Sequence, residues 1–187
     1  MAGGVRHADS QEHFGQALTP NGLIVLTNNS IAPPFRPTVI AFDSFVARSG
    51  VRAAIDAAAD ELLPAISSDR PLAFTELRLD DLGVPPPEGI GTIRIAVFHP
   101  GCETGIERHP NSTQFLYSVR GTGETRVLRG DRWETDCYGE ISDAALLEER
   151  WHVVEKGVWH HSVARGTEPW ILAALHTAGR VEDEYQR

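Results

Sequence analysis

The chain has 187 residues, 41% of them hydrophobic and 23% charged, with a formal net charge of −9. That length suits one well-buried core, and the acidic balance without a Lys/Arg run argues against nucleic acid or an anionic membrane surface as partner. Cys102 and Cys137 are its two cysteines, too few for a disulfide framework and not in a C-x-x-C pair, so each reads as a small hydrophobe.

Residues 1–20 are polar and read as a mobile N-terminus with one short helix over 10–18. They hold no apolar leader segment, and no apolar run reaches the roughly 18 residues of a membrane span, so a cytoplasmic protein is expected. Leu23-Ile24-Val25-Leu26 marks a strand within 21–30, which Pro33, Pro34 and Pro37 break. Residues 38–45, apolar and β-branched, predict a second strand. A helix is predicted over 51–63, with Ser49 as cap, Pro64 as stop, and Val51, Ala54, Ile55, Ala58 and Leu62 at helical spacing. The Pro-rich stretch 82–91 reads as a connection, because the roughly 90 residues on either side would each be marginal alone.

From residue 91 the pattern changes. Short β-prone segments at 92–99, 114–119, 123–129, 151–154, 158–163 and 170–176 are separated by Pro100-Gly101, Arg120-Gly121, Arg129-Gly130-Asp131 and Arg165-Gly166. Such spacing predicts an all-β sandwich or barrel, and 140–150 reads as a helical turn or an acidic loop. The expected organisation is one domain over 1–187, with strands and a helix in 21–90 and the barrel core in 91–178.

Three polar residues stand at suggestive spacing. Positions i and i+2 of a strand share a face, so Glu107 and His109 can point together into a barrel, and Gln114 can join them after a turn at Pro110-Asn111-Ser112. The bland alternatives are a rim salt bridge for Glu107 and a strand-edge hydrogen bond for Gln114. Downstream, Gly157-Val158-Trp159-His160-His161 places two histidines in succession, of which extended backbone turns one inward and one outward. The inward one would complete a four-ligand set. His99 and His176 read as structural or exposed, and His7, His13 and His152 carry no signal.

These residues resemble a known family. Glu107-x-His109, Gln114 and Gly121 are similar to the first cupin motif, H-x-H-x(3,4)-E-x(6)-G, with Glu for the first His and Gln for the Glu. Gly157-x-x-His160 is similar to the core of the second motif. Glu107-Arg108-His109-Pro110, Thr113-Gln114 and Trp159-His160-His161 resemble, more specifically, the ureidoglycolate lyase family. The resemblance covers about residues 90–164. The N-terminal half departs from it, and 93–100 lacks an Arg that the family places near the end of this strand, which would alter the pocket for a substrate carboxylate.

The resemblance implies an all-β cupin barrel of jelly-roll type with an N-terminal helical addition. It implies a carbon–nitrogen lyase of purine (allantoin) catabolism that releases urea from ureidoglycolate to leave glyoxylate, or acts on a related hydroxy or oxo acid. His160 or His161 would shuttle the proton, Glu107 would be the second candidate base, and Gln114 would orient the substrate. Arg108, Arg120 or Lys156 would hold the carboxylate. Glu107, His109, Gln114 and His160 would form an O/N set suited to Ni, Mn, Fe or Zn, His160 being preferred for its Gly-x-x-His spacing; a metal-free site is the alternative. A metal-dependent oxygenase or isomerase of another small acid, and a non-catalytic ligand-binding cupin, stand as further readings. A homodimer formed through edge strands or residues 20–45 is expected, since free sheet edges invite pairing.

Overall fold

The computed structural model describes residues 16–18, 24–26, 31–138 and 146–186. Strands β1 (Gln16–Leu18) and β2 (Ile24–Leu26) pair antiparallel, Ala17 opposite Val25. β2 lies inside the predicted strand. The predicted helix over 10–18 falls mostly outside the described residues, and its last three positions are extended instead.

Helix α1 (Arg36–Val46) replaces the strand predicted over 38–45. Its buried residues, Val39, Phe42, Phe45 and Val46, recur every three to four positions, which is the period of a helix and not of a strand. Pro37 stands in its first turn, where a missing N–H costs no hydrogen bond. Helix α2 (Ser49–Leu62) follows, burying Val51, Ile55, Ala58 and Ala59. Ser49 is its first helical residue and not its cap: the extended residue ahead of it is Arg48, whose side chain makes no capping bond. Pro64 lies in the 3-10 turn that ends the helix.

The remaining elements are β3 (Leu72–Leu77), β4 (Thr92–Phe98), β5 (Glu107–Arg108), β6 (Gln114–Arg120), β7 (Thr122–Arg129), β8 (Arg132–Tyr138), the short helix α3 (Leu147–Arg150), β9 (Trp151–Val154), β10 (His160–Arg165), β11 (Trp170–His176) and β12 (Glu184–Tyr185). They form two five-stranded antiparallel sheets, ordered β3-β4-β11-β6-β9 and β12-β5-β10-β7-β8. The six segments predicted beyond residue 91 are all strands, within a residue or two at their ends. β3 and β8 were not predicted. Both are sheet edges, and an edge strand that keeps polar residues on exposed positions carries a weaker apolar signal. No helix among the described residues is long and apolar enough to cross a membrane.

The strand period of two builds three layers. Ile93, Ile95 and Val97 of β4, Phe115 and Tyr117 of β6, and Ile171, Ala173 and Leu175 of β11 pack against the two helices. Phe42 meets Phe115 edge-on, with ring centroids 4.9 Å apart. The alternate residues Phe98, Leu116, Trp170, Leu172 and Ala174 face the second sheet and meet Val127 and Ala164. Trp170 is fully buried and donates its indole N–H to Ser118 Oγ at 2.9 Å. Along this inner face the same parity carries three polar side chains at one end: Arg94 of β4, Gln114 of β6 and His176 of β11. Gln114 and His176 are register partners, as are His176 and Thr92.

Candidate active site

Those polar ends close one side of a cavity of about 150 Å³ between the sheets. Glu107, His109, Gln114 and His160 all line it, together with Arg94, Asp183 and Tyr185. Glu107 on β5 sits in register with His160 on β10, and its carboxylate approaches His160 Nε2 to 3.8 Å. The two sequence strings are also joined through the backbone: Gly157 N–H donates to the carbonyl of His109 at 3.0 Å.

The adjacent histidines part as strand geometry requires. His160 shares the inward parity of Ser162 and lines the cavity. His161 faces outward, its ring edge-on to Trp133 with centroids 5.0 Å apart and its Nδ1 2.9 Å from Glu103. His160 Nδ1 meets the carbonyl of Val158 at 3.1 Å. That bond takes the ring N–H and leaves Nε2 as a lone pair. This Nε2, His109 Nε2 and Gln114 Oε1 are all buried without a protein partner.

Burial sets the protonation of the group. It pushes the Glu107 carboxyl up to about 7, assisted by the negative charge of Asp183 and opposed by a Tyr185 hydrogen bond and the Arg94 cation. It pulls His160 down to about 4, against the Val158 hydrogen bond and with help from His109, His152 and His161. Burial likewise lowers His109, although the charge of Asp183 opposes it. His160 is therefore neutral at pH 7 and its contact with Glu107 is not an ion pair.

One ligand atom each from Glu107, His109 and His160 lie within 4.8 Å of one another. Two imidazoles and a carboxylate suit a divalent first-row metal. The unpartnered Nε2 atoms, and the carboxylate and carbonyl behind the two rings, are the arrangement such a cation needs. The residues present fit a metal. Gln114 adds a neutral oxygen to the same cavity.

The three cations proposed from sequence do not line this cavity. Arg108 stacks on Trp159, 4.6 Å from its ring centre, and pairs with Glu184. Arg120 pairs with Asp60 on the outer groove beside α2, and Lys156 is exposed. The cation that does line it is Arg94, held by Glu76 and Asp183 at 2.9 Å each. Arg94 was visible as the one charge in the apolar run Thr92–Phe98, and His176 as the polar end of another, Trp170–His176. His176 is wholly buried, its ring edge-on to His109 at 4.9 Å. Its Nε2 lies 3.5 Å from Gln114 Nε2. Asp183 and Tyr185 gave no sequence signal. They reach the site because β12 pairs with β5, Tyr185 opposite Glu107.

No family model and no curated protein sequence matches the chain. Among solved structures it superposes on an oxalate oxidase in complex with glycolate, with a TM-score of 0.50 and 15% identity over 64% of this chain and 57% of that one. A mutant of Bacillus subtilis oxalate decarboxylase gives 0.50 and 17% over 64% of this chain and 29% of that one. Peruvianin-I, a cysteine peptidase from Thevetia peruviana latex, gives 0.50 and 15% over 65% and 71%. The chain thus spans 57% of the oxalate oxidase and 29% of the decarboxylase. Neighbours with such different named activities share a fold and not a reaction. The oxalate enzymes are cupin-fold proteins, and this chain too has the cupin β-barrel fold.

Proposed function

We propose that this protein is a metal-dependent cupin enzyme acting on a small hydroxy or oxo acid, with Glu107, His109 and His160 holding a divalent cation and Gln114 as a further oxygen donor. The observation that carries the reading is the convergence of three ligand atoms within 4.8 Å, two of them on buried imidazoles whose Nε2 atoms have no protein partner. The bound cation would supply Lewis acidity and hold the acid's oxygens. Val158 fixes the orientation of the His160 ring, Asp183 stands 2.9 Å behind His109, and Tyr185 hydrogen-bonds to Glu107. Two fold neighbours are named for oxalate, and the B. subtilis decarboxylase is described with Mn(II) centres, which is in keeping with this class. Metal analysis of the purified protein tests it: about one equivalent of a divalent metal is expected, and none in His160→Ala.

One observation favours a second reading, release of urea from ureidoglycolate without metal. The Glu107 carboxyl, near neutrality, stands 3.8 Å from an imidazole nitrogen that carries no proton. His160 Nε2 would take the carbinol hydroxyl proton while protonated Glu107 gives one to the departing nitrogen. Urea and glyoxylate formed at full rate by chelator-treated protein would select this reading over the first. Tight binding of such acids with no turnover under either condition would select a binding protein.

A further inference from the structure

Away from Glu107, His109, Gln114 and His160, the cavity is walled largely by carbon. Leu72, Phe98, Leu116 and Leu172 line it, and the short side chains of Ala96 and Ala174 leave the space open. Its remaining hydroxyls are engaged: Thr104 Oγ1 accepts from the backbone N–H of Ser162 at 2.9 Å, and Ser162 Oγ meets Thr125 Oγ1 at 3.2 Å. Among the described lining residues Arg94 is the one cation, and both its carboxylate partners hold it at 2.9 Å. Asp183 adds negative charge to the same wall. Two aromatic residues line the cavity while remaining largely exposed, Phe74 at 60% and Tyr185 at 61%, a distribution that puts them at its mouth.

We propose that the site takes a 2-oxo or 2-hydroxy acid with an apolar body, either one ring or a short branched chain. This rests on the metal reading above. The acid's oxygens face Glu107, His109 and His160, and its hydrocarbon lies against Leu116 and Leu172 after entry past Phe74. A cavity of about 150 Å³, the volume of an apolar cavity that holds one benzene ring, limits the buried body to about one small ring or branched chain. The open mouth at Phe74 and Tyr185 takes what does not fit beside the oxygens. A two-carbon acid would leave that wall unfilled, and a second carboxylate would find Arg94 already paired.

Calorimetric titration of the protein loaded with Mn²⁺ or Ni²⁺ tests this, using phenylpyruvate, 4-methyl-2-oxopentanoate, glyoxylate and oxalate. The first two are expected to bind at least tenfold more tightly than the last two, the scale on which apolar pockets discriminate. Leu172→Phe, which fills the cavity, and Phe74→Ser, at an exposed site that spares the fold, should each weaken the first two at least tenfold and leave metal uptake unchanged. Glyoxylate or oxalate binding as tightly as the larger acids, or none of the four binding, overturns the proposal while the metal reading stands. Failure to take up either metal overturns both.

Discussion

One carboxylate oxygen of Asp183 lies 2.9 Å from His109 Nδ1 and equally 2.9 Å from Arg94 Nη1. The approach to the imidazole is bent away from a well-formed hydrogen bond. A carboxylate behind a histidine fixes its tautomer and raises its basicity towards a metal. Asp183→Asn is therefore expected to weaken metal binding roughly 10- to 100-fold with the barrel intact. Metal titration alongside circular dichroism checks this, and unchanged affinity would show that Asp183 serves Arg94 alone.

The two adjacent histidines should behave oppositely. His160→Ala removes an inward nitrogen and is expected to abolish metal uptake. His161→Ala removes an outward ring that packs on Trp133 and should leave uptake within about threefold, on the usual small effect of changes away from a site. Equal losses in both would mean that strand parity does not sort them.

Metal binding should weaken on mild acidification through Glu107. Its carboxyl, raised to about 7 by burial, must lose a proton before it can ligate, whereas His160, lowered to about 4, is already neutral. Below pH 7 the dissociation constant is expected to rise about tenfold per pH unit, with one proton released per metal bound. Titrations in buffers of different ionisation enthalpy count that proton. Affinity that is flat from pH 7 to 5.5 would remove Glu107 from the ligand set.

The metal-free protein should lose stability in acid for a separate reason. His160 titrates near 4 when folded against 6.5 when free, and burial lowers His109 and His176 as well. The unfolded chain thus binds more protons at these sites, and their contribution, complete above pH 6.5, is lost as pH falls towards 4. Glu107 works the other way: its folded pKa of about 7 exceeds the free value of 4.5, so its contribution is lost as pH rises from 4.5 to 7. Three histidines outweigh one carboxyl, so urea unfolding should show lower stability at pH 5 than at pH 7. In Glu107→Gln the fall should be steeper, because the opposing group is gone.

Gly121 joins β6 to β7 with φ of +81°, and a Cβ there would stand 2.5 Å from the carbonyl oxygen of Pro169. Both the left-handed backbone and the clash with main chain oppose a side chain. Gly121→Ala is expected to cost about 2 kcal/mol or more of stability, read by denaturant midpoint. A neutral result would require the 166–169 turn to move.

Much of the barrel was legible because its signals are local. The inner strands alternate two apolar faces, and turns such as Arg120-Gly121 and Arg165-Gly166 place glycine where φ is positive. Glu107 and His109 share a face by strand period alone. The segment 38–45 misled because Thr38, Val39 and Ile40 favour strands by composition, while the spacing of Val39, Phe42 and Phe45 obeys a helix. β3 and β8 were hidden because these edge strands keep polar residues on exposed positions, unlike the edge strand β9, which is buried throughout.

The sequence by itself determined which residue types were available and which shared a strand face: Glu107 with His109, and one histidine of the pair at 160–161. The tertiary structure decided which of them meet. Pairing with β5 and β7 turned His160 inward, and the β6–β11 register set His176 beside Gln114. β12 carried Asp183 to Arg94, 89 residues away along the chain. The same packing left Arg108, Arg120 and Lys156 outside. Periodicity is a property of neighbouring residues, whereas a site is made where strands distant in sequence are held in register by hydrogen bonds and a shared core, and no local pattern encodes that register.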